Sequence, residues 1–164
     1  MDSQTEKTVY VSMMLDSLRR KKSILTNLLD LTKKQEHMLK GQELDVDGFQ
    51  RSVDRKGDYI EQLNQMDEGF DRLFKQVKEE IVNHRQSYKE EILLMQKLIQ
   101  QVSELGVEIQ ALENQNSIRF KAYLSDQRKD IRDFHVNSRT TNTYMQNMTG
   151  GNMTGQSYYF NETK

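Results

Sequence analysis

Apolar residues fall in three stripes along this chain, each at the three- and four-residue spacing that one face of a helix requires. The first holds Val11, Met14, Leu18, Leu25, Leu28 and Leu39, interrupted by Lys21, Thr32 and Gln35. The second holds Phe49, Val53, Ile60, Leu63, Phe70, Phe74, Val77 and Ile81, with Lys56 and Asp67 as polar exceptions on the same seam. The third runs through Tyr88, Met95, Leu98, Val102, Leu105, Ile109 and Leu112, then weakens through Ile118, Tyr123, Leu124, Ile131 and Phe134. The stripes predict helices over about 5–40, 47–83 and 88–136. Their shared core should include Leu18, Leu25, Leu28, Ile60, Leu63, Val77, Leu98, Val102 and Ile109.

The breaks between the stripes carry stop and start signals. "SQTE" at Ser3–Glu6 reads as a capping box opening the first helix. Gly41 should end it by adopting the left-handed conformation that other residues resist. Asp47 then reads as the N-cap of the second helix, with Gln50 three residues on. The second turn is expected near Asn83–Gln86, with Ser87 and Glu90 as another capping box; Gly69 is the competing position. Short connections between helices of similar length force antiparallel neighbours. The expected fold is therefore all-α: an elongated, coiled-coil-like antiparallel three-helix bundle over 1–136, with a flexible C-terminal tail over 137–164. The rival is a parallel coiled-coil dimer built on one rod from Phe49 to Leu112.

Composition narrows this picture. Roughly a quarter of the residues are Leu, Ile, Val or Phe, just above the level of about 20% below which disorder is expected, so the core should be thin. The chain has no proline, which would interrupt a helix interior at a cost of about 3 kcal/mol. Its 24 basic and 25 acidic residues nearly cancel, and the run Arg19-Arg20-Lys21-Lys22 is short. Nucleic acid, which needs a concentrated basic face, is not an expected partner. There is no cysteine, which rules out disulfides and thiol chemistry and suits a reducing compartment. No apolar run approaches the ~20 residues of a membrane span, and "MDSQTEKTVYV" has no apolar core of signal-peptide length. The expected location is the cytoplasm, with no membrane insertion.

Catalytic chemistry has little to stand on. His37, His84 and His135 never reach the i, i+4 spacing of a helical zinc site. The acidic pairs Glu79-Glu80 and Glu90-Glu91 sit beside lysines, as solvated helix pairs do. Acid–base catalysis needs an enclosed pocket to shift a pKa, and a slim bundle encloses little. The chain is expected not to be an enzyme, and to use no cofactor or metal.

The last stretch, "TTNTYMQNMTGGNMTGQSYYFNETK", differs from everything before it. From Thr140 to Asn161 it has no charged side chain, yet it holds Tyr144, Met145, Met148, Tyr158, Tyr159 and Phe160. Ordering such a segment costs about 1–2 kcal/mol per residue for the backbone alone. Aromatic and methionine side chains are nonetheless good interface anchors. These six residues are the candidate partner-binding positions.

Leu28-Leu29, Met38-Leu39, Gly41, Lys56, Ile60 and Leu63 between the first two helices, "LENQNS" late in the third, and "TYMQNMTGG" followed by "SYYFNETK" in the tail resemble the FlgN-type flagellar export chaperones. In "LENQNS", Glu113 and Ser117 stand where the family pattern has Asn and Gly. The resemblance implies a cytoplasmic helical protein that holds the C-terminal segments of the two hook–filament junction proteins until export. It also implies that Tyr144 docks on an export-gate component, and that the free protein is a monomer. The alternatives are a structural coiled-coil adaptor with no export role, and a chaperone for another flagellar client.

Overall fold

The structure, a computed structural model, describes residues 2–127. Three helices account for nearly all of them: α1 (Asp2–Lys40), α2 (Val46–Asn83) and α3 (Lys89–Gln127). The described helices are 39, 38 and 39 residues long, each about 58 Å at 1.5 Å per residue; the expected end of the third helix near 136 lies outside the described residues. α1 packs closely along both of the others.

Three stacked clusters of apolar side chains fix the directions. Val11, Met14 and Leu18 near the start of α1 meet Phe70 and Val77 near the end of α2 and Tyr88, Met95 and Leu98 at the start of α3. In the middle, Leu25, Leu28 and Leu29 meet Leu63, Val102 and Ile109. At the far end Phe49 and Val53 meet Phe120, with Met38, Leu39 and Leu44 packed around them. Thus α2 runs antiparallel to α1 and α3, and the chain is an all-α antiparallel bundle. The single rod from Phe49 to Leu112 is excluded, because α2 ends at Asn83 and the chain turns through 84–88. Gly69 lies inside α2.

Of the nine expected core residues, eight are buried; Ile60 is only partly so, packed on the middle cluster. Phe120, absent from the third stripe, is buried and stacks on Phe49 with ring centroids 5.1 Å apart. Ile118, counted in that stripe, is instead 69% exposed.

The helix ends differ from the expected signals. Asp45, not Asp47, caps α2: its Oδ1 accepts from the Gly48 amide at 3.1 Å. Gly48 permits this because a side chain there would run into the Asp45 carboxylate. Asp47 sits in the first turn, where a negative charge still meets the positive end of the helix dipole. Gly41 ends α1 without entering the left-handed region; its amide reaches the Met38 carbonyl at 3.3 Å, tightening the last turn. Ser3 falls within α1 rather than before it. At the second turn Ser87 precedes Tyr88, whose carbonyl accepts the first helical bond from Ile92 at 2.8 Å. The Tyr88 hydroxyl, buried, donates to Glu80 Oε1 at 3.1 Å and ties the end of α2 to the start of α3.

Candidate functional site

The polar interruptions of the first two stripes turn inward and find partners across the bundle. In the first stripe Lys21, 1% exposed, reaches Asp67 of the second at 3.1 Å and lies over the Phe70 ring, 5.0 Å from its centroid. About three to four turns further along α1, a larger layer crosses all three helices. Lys56 Nζ donates to Gln35 Oε1 at 2.9 Å and contacts the Glu113 carboxylate. Gln35 Nε2 donates to Ser52 Oγ at 3.0 Å, and Ser52 Oγ donates to the Phe49 carbonyl at 2.5 Å. Asn116 Nδ2 donates to the Thr32 carbonyl at 3.1 Å, while Thr32 Oγ1 donates to the Leu28 carbonyl at 2.7 Å. Arg119 closes the rim: its Nη1 donates to Asn116 Oδ1 at 3.2 Å and to Glu36 Oε2 at 3.4 Å.

This layer joins two of the stretches that carried the family resemblance, since Lys56 belongs to the first and "LENQNS" supplies Glu113 and Asn116. Apart from the rim residues Glu36 and Arg119, its members are buried between apolar clusters, so it is an internal lock rather than a surface for a ligand. A one-turn slip of α2 or α3 against α1 would strand Lys56 or Glu113 in apolar surroundings. An unpaired buried charge of that kind costs several kcal/mol.

Burial also disfavours charge on the two inward lysines. It lowers Lys21, against the opposing pull of Asp67, and it pushes the Lys56 ammonium down from 10.5 to about 7. Desolvation is the cause of the Lys56 shift: taking the ammonium out of water disfavours its charged form. The unfolded chain therefore binds more protons than the folded one between pH 7 and 10.5. The penalty is complete below pH 7 and is relieved as pH rises through that window. Thermal melts should show the midpoint climbing from pH 7 to 9, more steeply than in a Lys56→Met/Glu113→Leu variant. A wild-type midpoint that falls over this range would mean the ammonium stays charged throughout it.

Tyr144, Met145, Met148, Tyr158, Tyr159 and Phe160 lie outside the described residues, as does His135; His37 and His84 are exposed. What the structure adds is the surface leading toward them. On the outer face of α3, Val107 is 67% and Ile118 69% exposed, with Ala111 and Ala122 exposed at matching helical spacing. This uncovered small and apolar stripe runs along the second half of the helix that precedes the tail. Among the described residues no helix is long and apolar enough to cross a membrane.

A protein-family model described as FlgN protein matches residues 11–153. The match takes in the whole inner layer together with Tyr144, Met145 and Met148, and ends before Tyr158. No curated protein and no solved structure matches the chain significantly.

Proposed function

Since the chain belongs to the FlgN family and is in general terms a flagellar export chaperone, we propose that it serves the flagellar type III export system in the cytoplasm. It binds the C-terminal segments of the hook–filament junction proteins, prevents their premature assembly and delivers them to the export gate. The observation that carries this reading is the family match, which spans the bundle and runs on into the uncharged tail. The chain acts by holding, without a catalytic step, cofactor or metal, and is monomeric when free.

The bundle and the tail divide the work. The bundle is the scaffold, its helices set in register by the inner polar layer. The tail is the contact arm: Tyr144 with Met145 and Met148 meets the export-gate component, and Tyr158, Tyr159 and Phe160 meet client or gate. An arm without charge or a helical stripe offers its partner aromatic and methionine anchors of large apolar area.

Deleting residues 140–164 tests the division. The truncated protein should melt as the full chain does and lose the client or the export-gate component in a pull-down. A truncated protein that melts much lower and still retains both would show that the tail caps the bundle instead.

A further inference from the structure

The basic run Arg19-Arg20-Lys21-Lys22 is split by the fold. Lys21 turns inward to Asp67, while Arg19 and Lys22 face a groove of about 530 Å³ between α1 and the parallel α3. Lys97 faces the same groove from α3, so three cations line it and no Asp or Glu does. Arg19 is shared with Asp16, 3.3 Å away on the exposed surface. The apolar part of the lining is Leu94, half-buried, and Leu98, buried; apart from the three cations, the remaining residues are uncharged polar ones. Further along the same two helices Lys33 and Glu108 approach to 3.9 Å, so opposite charges face each other there and the basic stretch ends.

We propose that this α1–α3 groove is a second docking surface, taking an acidic amphipathic helical segment of a partner protein. Acidic side chains of the segment meet Lys22, Lys97 and Arg19, and its apolar side chains rest on Leu94 and Leu98. A small anion such as phosphate would use the cations but leave the two leucines uncovered. The chain's own C-terminal part does not fit: residues 128–139 carry more basic than acidic groups, and 140–161 carry no charge. A second copy would have to bring an acidic, apolar strip to a basic groove. The surface is distinct from the tail and from the outer stripe of α3, so it stands whichever flagellar client the chaperone carries.

The test uses the full chain and a fluorescein-labelled synthetic peptide of about 18 residues, five helical turns, with Leu at i, i+3, i+4 spacing and Glu elsewhere. Anisotropy should rise saturably. Lys22→Glu/Lys97→Glu should weaken binding about tenfold or more, as loss of a charged rim does when several contacts act together. Lys75→Glu/Lys121→Glu, which changes net charge equally at exposed sites elsewhere, should leave it unchanged. All four positions are at or near the surface, and circular dichroism melts confirm that both variants are folded. The proposal is overturned if both variants lose binding equally, since the effect would then be bulk charge. It is also overturned if polyglutamate without Leu, or a single-stranded oligonucleotide of equal charge, binds as tightly, since the groove would then be a general anion surface. Failure of the acidic peptide to saturate, or a rise in anisotropy that tracks self-association of the chain, overturns it as well.

Discussion

Lys56→Met lowers the stability of the bundle by about 3–5 kcal/mol near pH 6, because it leaves the Glu113 carboxylate buried without its partner. Glu113→Leu does the same from the other side, stranding an ammonium among Gln35 and the surrounding apolar clusters. The double variant behaves differently. Replacing both charges by apolar groups of similar volume removes the desolvation cost along with the attraction, so its stability returns to wild type or exceeds it by about 1–4 kcal/mol. Denaturant melts of the four proteins form a double-mutant cycle. Additive losses in the double variant would mean that Lys56 and Glu113 do not act as a pair. A recovered double variant would also show that the layer contributes register rather than net stability.

The second large effect is at the far end of the bundle. Phe49 is fully buried and stacks on Phe120, which stacks in turn on Tyr123 with centroids 6.2 Å apart. Phe49→Ala should cost about 3–5 kcal/mol, combining lost transfer energy with a cavity that neighbours on three elements only partly fill. Phe120→Ala should cost a similar amount, and the pair should lose less than the sum because each single change already breaks the stack. Chemical denaturation with a change below about 1 kcal/mol for either single variant would place that ring outside the core.

The bundle was legible in the sequence because apolar periodicity and missing prolines both depend only on neighbours along the chain. Eight of nine expected core residues are buried for that reason. The inner layer was not legible. Lys21, Thr32, Gln35, Lys56 and Asp67 read as flaws in separate stripes, and nothing local says that Lys21 will meet Asp67 or Gln35 will meet Lys56. Such pairs depend on how the helices are set against each other, which a one-dimensional pattern does not carry. The error at Ile118 has the same origin. The true inward seam of α3 passes through Glu113, Asn116 and Phe120. With two polar residues on it, the apolar pattern drifts to the next available large residue, which faces outward. The α2 cap shows a finer limit: Asp45 and Asp47 are chemically equal candidates, and the bare backbone of Gly48 decides between them.

The candidate site was legible only as composition. A charge-free segment with spaced aromatics points to a partner without fixing the geometry of contact, and all six named residues lie beyond the described helices. In the outer stripe of α3, Ile118 was hidden for the reason given above: a residue assigned to the core is not searched for as surface.

Binding to the client itself addresses the chaperone role most directly. Purified C-terminal segments of the two hook–filament junction proteins, titrated into the full chain in a calorimeter, should bind saturably with a Kd near micromolar or tighter, about −8 kcal/mol or better. Circular dichroism of the mixture should exceed the sum of its parts as the client segment gains helix. A folded chain that gives no saturable signal with either segment at tens of micromolar would contradict the account.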